Sequence, residues 1–279
     1  MTAVNTAKTP TGVIIERVDL PDADGDLKLG IVRLDGAERL NPLGWETFRR
    51  LRAAFEDLEA DASVRAVAVT GSGRAFCAGG DLAAYRTLQK DPVQFPRYMR
   101  DAHRAFEATG EMTKPVIALI NGVAVAGGLE LALSCDFAFA ARTARMGDGH
   151  MNFGQMGGGG ALTILPRLIG LARARELVFS GRLLSADEAL AWGLVNRVVD
   201  DDQLLPAAVE FATLVANHSP LALANVKRVM TRGYLEGTGT AQATAVELES
   251  VARYCLTSTD APEGLEAFAE RRKPRFTGN

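Results

Sequence analysis

The stretch Val116–Ala140, VIALINGVAVAGGLELALSCDFAFA, decides how the rest of this 279-residue chain is read. It opens on five apolar residues, Val116 to Ile120, that read as a buried strand, and it turns at Asn121-Gly122. Small residues then lead to Gly127-Gly128. A helix carrying Glu130 is expected next, and Asp136 to Ala140 closes the stretch as a second strand. Strand, helix and strand in direct succession argue for parallel pairing through a right-handed crossover. Glu130 falls in the first turn of a helix almost free of other charge. The helix dipole favours an anion there, and the free N–H groups of Gly127 and Gly128 can point at a ligand. A glutamate so placed either complements its helix start or does chemistry. Leu129, Leu131 and Leu133 leave it no solvated face, which weakens the first reading.

Towards the N-terminus, Val64 to Thr70 reads as another strand and runs into a glycine-rich loop, GSGRAFCAGGDL, Gly71 to Leu82. Before it, Leu43, Phe48, Leu51, Phe55 and Leu58 recur at helical spacing, in a helix expected from Asn41-Pro42. Gly12 to Val18 and Leu29 to Leu34 are β-branched runs separated by PDADGD, so an antiparallel pair is expected. Towards the C-terminus, Met146 to Gly160 is a second glycine-dense loop, and loops of that kind inside a compact domain are usually functional. From Ala161 the pattern is helical apart from a short strand, Leu194 to Val199, and Ser185 with Glu188 forms a capping box. These signals divide the chain into a disordered lead-in (residues 1–11), a mixed α/β core (12–199) and a helical region (200–279).

Composition excludes several classes. Hydrophobic residues make up 47% and charged residues 23%, with a formal charge of −3 and both signs interspersed, so no nucleic-acid partner and no membrane partner are expected. No apolar run reaches the roughly 18 residues of a membrane span. Cys77, Cys135 and Cys255 lack metal-ligand spacing, and an odd number of cysteines fits a reduced, cytoplasmic setting. Gly71-Ser72-Gly73 follows a strand, but Phe76 stands where a nucleotide fingerprint has its third glycine and no Walker lysine follows. Glycine fits another use better. Two backbone N–H groups from separate loops can converge on one carbonyl oxygen, and residues without a Cβ allow the approach.

AFCAGGDL (Ala75–Leu82) and KPVIALINGVAVAGGLELALSCDF (Lys114–Phe137) together resemble the crotonase, or enoyl-CoA hydratase/isomerase, family. PRLIGLARARELVFSGRLLSADEALAWGLVNRVV (Pro166–Val199) and the tail DAPEGLEAFAERRKPRF are also similar to it, so the resemblance runs from about residue 12 to about 276. It implies an α/β fold: a crotonase-like spiral of ββα turns, then a C-terminal helical trimerisation region in a homotrimer or hexamer. It also implies an acyl-CoA substrate, with coenzyme A as part of the thioester and no prosthetic group. Carried over by motif, the N–H groups of Gly80 and Gly127 match the two oxyanion donors, and Glu130 matches the first catalytic glutamate. Members of the family usually read Phe-Gly-x-Pro-Glu, then about seven residues to Pro-Gly-x-Gly-Gly. Here Met146-Gly147-Asp148-Gly149-His150 stands in the first position and Gly157 to Gly160 in the second. His150 therefore replaces the second glutamate. An imidazole can do either half of acid/base work near neutral pH, and Asp148 either orients it or is a solvated loop carboxylate.

For the CoA moiety, the resemblance points to Ala78 beside the oxyanion loop, to Arg39, and to Lys273 and Phe276 in the tail. Ala83 to Arg104 and Thr240 to Leu256 are expected to line the acyl pocket, and Cys77 reads as packing. The leading expectation is hydration of a 2-enoyl-CoA. A CoA-thioester or C–C hydrolase or a decarboxylase on the same scaffold is the alternative. Isomerisation ranks third, because isomerases of the family use the acid that His150 replaces. A non-catalytic, RNA-binding member is disfavoured by the acidic balance and by Glu130.

Overall fold

The computed structural model of the chain describes residues 4–7, 12–21, 25–235 and 240–279. Three strands open it: β1 (Val4–Ala7), β2 (Gly12–Asp19) and β3 (Lys28–Asp35), each antiparallel to the next. The β2–β3 pair is the one its β-branched runs predict. β1 is a departure, because four residues of the expected lead-in pair with β2; residues 1–3 and 8–11 lie outside the described residues. α1 (Trp45–Ala60) buries Phe48, Leu51, Ala54, Phe55 and Leu58 along one stripe. It begins later than Asn41-Pro42 predicts, since Leu40 and Asn41 adopt positive φ and end the preceding turn instead.

The chain then alternates between two sheets. β4 (Val64–Gly71) leads to β5 (Ala75–Cys77), and α2 (Leu82–Leu88) and α3 (Gln94–Glu111) return it to β6 (Val116–Ile120). β6 leads to β7 (Val123–Val125), α4 (Gly127–Ser134) returns it to β8 (Phe137–Ala141), and β8 leads to β9 (Arg145–Gly147). Strands β4, β6 and β8 are parallel neighbours in a seven-stranded sheet, while β5, β7 and β9 are parallel neighbours in a four-stranded one. Each turn therefore contributes one strand to each sheet and a helical return. The five residues of β6 are all buried, as expected of a central parallel strand covered on both faces.

A short 3₁₀ turn (His150–Phe153) and α5 (Ala161–Ile169), α6 (Leu171–Ser180), β10 (Leu184–Ser185), α7 (Ala186–Trp192) and β11 (Arg197–Val199) complete the core. β10 joins the small sheet and β11 the large one. Ser185 Oγ accepts from the Glu188 N–H and the Glu188 carboxylate from the Ser185 N–H, which is the capping box read from sequence. Four helices follow: α8 (Leu204–Ala216), α9 (Pro220–Leu235), α10 (Thr240–Thr257) and α11 (Asp260–Glu270). α8 packs on β3, β4, β6 and β8. No described helix is long and apolar enough to cross a membrane.

α9 is fastened to the core by one cation. Lys227 Nζ donates to the carbonyls of Thr109 at 2.9 Å and Lys114 at 3.0 Å, and it pairs with Asp136 Oδ2 at 2.9 Å. The same Asp136 oxygen accepts the Val116 N–H at 2.7 Å, so the staple joins the start of β6 to the loop after α4. The Lys227 side chain is only 10% exposed, and removing one partner of a largely buried pair leaves the others uncompensated. Lys227→Met is therefore expected to lower unfolding free energy by about 3 kcal/mol. The check is the urea midpoint at fixed protein concentration; an unchanged midpoint would show that the staple adds nothing.

Candidate active site

Two asparagines shape the first loop of the site. Asn41 Nδ2 donates to the carbonyls of Ser72, Ala75 and Phe76, and its Oδ1 accepts the Gly36 N–H. Asn121 Oδ1 accepts from the Thr70 hydroxyl and the Gly71 N–H, while its Nδ2 donates to the Gly73 and Ala75 carbonyls. Between them they satisfy the backbone of the turn joining β4 to β5, as a buried loop requires. Beyond β5, Leu43 bridges to Gly80: the Leu43 N–H donates to the Gly79 carbonyl at 2.9 Å and the Asp81 N–H to the Leu43 carbonyl at 3.0 Å. In a parallel bridge of that pattern the N–H of Gly80 points to the opposite side. Asp81 then caps α2, accepting from the N–H groups of Ala83 and Ala84 and from Arg39 Nη1.

The second loop arrives through α4. Ala126 sits at φ 53°, ψ −122°, a region that non-glycine residues rarely adopt. It is held there by donation of its N–H to the Gly147 carbonyl and by the Glu130 N–H donating to its own carbonyl. The effect is to start α4 at Gly127, whose N–H has no helical partner. A Cβ built on Gly127 would lie 3.6 Å from the Gly80 amide nitrogen, and one on Gly79 would lie 3.5 Å from that of Gly127. Two unspent amide donors are thus neighbours. Such a pair can hold an oxygen that develops negative charge.

One turn along α4, the Glu130 carboxylate is buried at 4% exposure. Its Oε1 accepts the Gly159 N–H at 2.7 Å and the Ala161 N–H at 3.4 Å. Burial holds its proton affinity above the ordinary glutamate value; the Gly159 donor and the charge of His150 oppose this without cancelling it. His150 opens the 3₁₀ turn, and its Nδ1 lies 2.9 Å from Asp148 Oδ1. Burial alone lowers its affinity, but the Asp148 hydrogen bond and charge, with the charge of Glu130, carry the net value above 6.5. Asp148 is 1% exposed, which excludes the solvated reading. The three groups surround Gly157. A Cβ there would lie 3.0 Å from Glu130 Oε1, 3.3 Å from His150 Nδ1 and 3.4 Å from Asp148 Oδ1.

The structure therefore brings together Gly80, Gly127, Glu130 and His150. Ala78 is half-buried two residues before Gly80, with its N–H on the Leu40 carbonyl, and Arg39 reaches Asp81 at 3.0 Å with a side chain 70% exposed. Lys273 is exposed, and Phe276 packs elsewhere within the chain. The tail folds back on the start of α11, where Asp260 accepts from the N–H groups of Thr277 and Gly278 and Phe276 lies against Gly264. Cys77 is fully buried, and burial pushes its thiol up to about 12, so it packs rather than reacts. Of the expected acyl-pocket segment, Met99 reaches Gly158; just beyond its end, Phe106 reaches Gly159. α10 packs on α9 and α11. Asn41 and Asn121 carried a sequence signal, each standing beside a turn former, but only as the start of an element or a turn.

A model of the enoyl-CoA hydratase/isomerase family matches residues 27–279. The chain is 34% identical over 251 residues to a crotonyl-CoA hydratase of Syntrophomonas wolfei, covering 89% of this chain and 94% of that protein. It is 32% identical over 247 residues to a short-chain-enoyl-CoA hydratase of Clostridium acetobutylicum, covering 88% and 93%. The crystal structure of an enoyl-CoA hydratase from Bacillus anthracis superposes with a TM-score of 0.85 at 30% identity, covering 99% of each chain. The two alternating sheets and the C-terminal helices are the fold of those proteins.

Burial of Glu130 has a consequence for stability. A carboxyl whose affinity is raised by folding contributes stability that is fully present below its unfolded value and lost as pH rises through its folded one. Glu130→Gln keeps an acceptor for the Gly159 N–H without the buried charge. It is expected to melt above wild type at pH 8, with the difference closing by about pH 4. A difference that does not vary with pH in calorimetry would contradict the burial argument.

Proposed function

We infer the reaction from one premise: the chain belongs to the enoyl-CoA hydratase/isomerase family. It is an acyl-CoA lyase of hydratase type that adds water across the double bond of a 2-enoyl-CoA. The observation that carries this reading in its own side chains is the meeting of Glu130 and His150 around Gly157, one helical turn from the amides of Gly80 and Gly127. In the proposed mechanism the thioester carbonyl accepts both N–H groups. Glu130 takes a proton from water while the water oxygen bonds to the β-carbon. The electrons of the double bond move onto the carbonyl oxygen, and the enolate that results is what the two amides stabilise, at about 10²–10³ in rate per donor. Protonated His150 then delivers a proton to the α-carbon. The proton on Glu130 returns to His150 to reset the pair.

Ala78 and Arg39 beside the oxyanion loop would meet the CoA moiety, and Lys273 and Phe276 would reach it from a neighbouring subunit. A trimer or hexamer is supported by the exposed apolar side chains of the C-terminal helices, Leu256 at 85% and Phe268 at 84% among them. Light scattering at micromolar concentration is expected to give three or six chains; a monomer there would remove the shared site. The cytoplasmic setting is supported by the free thiols of Cys77, Cys135 and Cys255.

The test of the reaction is loss of the conjugated-enoyl absorbance of crotonyl-CoA. Glu130→Gln is expected to reduce turnover by about 10²–10⁴ while leaving acyl-CoA binding nearly intact. Release of free CoA without hydration would favour a thioester hydrolase instead. The pH profile of kcat/KM should be bell-shaped. Activity falls on the acid side as Glu130 gains its proton, above the ordinary 4.5 for glutamate. It falls on the alkaline side as His150 loses its proton, above 6.5. A profile flat from about pH 5 to 9 would remove both residues from the chemistry.

A further inference from the structure

Asp148 is buried, yet both of its oxygens face the same residue. Oδ1 lies 2.9 Å from His150 Nδ1 and Oδ2 lies 3.4 Å from the His150 backbone nitrogen. Gly149 between them adopts φ 64°, and that left-handed turn brings the ring back over the carboxylate. The loop has other ties. The Asn152 N–H donates to the Gly149 carbonyl, the Gln155 N–H to the His150 carbonyl, and Asn152 Nδ2 to the Gly181 carbonyl. A buried carboxylate is costly to keep, and a loop already held by neutral hydrogen bonds does not need one.

We propose that Asp148 is the positioning residue of this site: by accepting the Nδ1–H of His150 it fixes the ring's tautomer and orientation, leaving Nε2 as the atom that exchanges the proton with substrate, while Gly157 preserves the space the three groups share. A carboxylate can only accept, so the hydrogen in this contact is on Nδ1. A neutral ring held in that way carries its lone pair on Nε2, and the protonated ring carries its transferable proton there. The direction of transfer rests on the hydration reading; the tautomer does not. In hydration, the imidazolium breaks its Nε2–H bond as a C–H bond forms at the α-carbon, and the ring becomes neutral with its proton on Nδ1. Water has by then given one proton to Glu130 and keeps the other in the new hydroxyl. Return of that proton to Nε2 restores a carboxylate and an imidazolium, so no further reactant is needed.

The charged groups acting on His150 are Asp148 from its own loop and Glu130 from α4, and Tyr85 of α2 in turn senses Glu130. With Asp148 made neutral, the raising influence of its hydrogen bond and charge is lost. Gly157 has a distinct part, since any larger residue would put carbon within 3.0 to 3.4 Å of all three polar atoms.

The experiment combines nitrogen-15 NMR of the three histidines with kinetics. His150 signals are assigned by their loss in His150→Gln. In wild type the neutral ring is expected to carry its proton on Nδ1. In Asp148→Asn, whose amide can donate as readily as accept, the population should shift towards Nε2–H. The same variant should lose about 10²–10⁴ in kcat on crotonyl-CoA with KM within about threefold. Its alkaline limb in kcat/KM should move to lower pH. Gly157→Ala should also lower kcat with native circular dichroism and oligomer size. A wild-type proton on Nε2 overturns the proposal. So does an Asp148→Asn variant whose rate falls while tautomer and limb stay in place, because a mere loop tie would behave that way. Full activity in Gly157→Ala overturns the part assigned to Gly157. Should Asp148→Asn fail to fold, the wild-type tautomer alone decides. If wild type hydrates no 2-enoyl-CoA yet shows the Nδ1–H ring that Asp148→Asn loses, the hydration reading fails and the positioning role stands.

Discussion

A Cβ on residue 128 would sit 2.0 Å from the carbonyl oxygen of Cys77, so α4 reaches the small sheet only because that residue is glycine. This close approach sets the separation between the end of β5 and the start of α4. Through β5 it places Gly80, and through α4 it places Gly127 and Glu130. The strained backbone of Ala126 belongs to the same contact, since the turn from β7 into α4 has to be completed without room for a normal connection. Strain of roughly 1–3 kcal/mol at one residue is tolerable when the surrounding packing over-determines it. Here β7 is paired on both sides, with β5 and with β9, and Gly147 of β9 holds Ala126 directly.

The electrostatics around Gly157 follow from where each group is anchored. Glu130 is fixed by a helix and by the amides of Gly159 and Ala161; His150 comes from a turn that left-handed glycines begin and end, and Asp148 immediately precedes it. Two carboxylates enclose one imidazole. Burial discourages charge on each group separately, yet opposite charges placed this closely favour ionisation of both. The proton affinities of Glu130 and His150 both lie above their ordinary values, so a shared proton is held more tightly here than in water. Neutralising Asp148 changes that balance without touching either group in the proposed chemistry.

What the sequence discloses and what it hides divide along physical lines. β4, β6 and β8 are apolar runs bounded by turn formers, and buried parallel strands announce themselves in that way. The helical stripe of α1 and the Ser185–Glu188 box are equally local. The small sheet is not legible, because β5, β7 and β9 are three residues each and carry no usable alternation. β1 is hidden in a polar segment that becomes a strand only beside β2. Glu130 stands out because its neighbours are leucines. Asp148 does not, since a loop aspartate between glycines looks the same whether it faces water or a histidine. The asparagines at 41 and 121 hold the loop between β4 and β5 through backbone groups more than thirty residues away in sequence, and no local pattern encodes such partners. Phe276 lies against α11 of its own chain while Lys273 is exposed, and nothing in their spacing distinguishes that from reaching another copy.

The Lys227 staple has a mechanical consequence. α4 is eight residues long, and at 1.5 Å per residue it is a rod of about 12 Å. Gly127 stands at one tip and Glu130 near the middle. Asp136, just past the other tip, is clasped by α9. A rod that short does not bend, so a displacement of α9 is passed along it as tilt rather than absorbed. Drift in the sequence of the C-terminal helices is thereby yoked to the aim of Glu130.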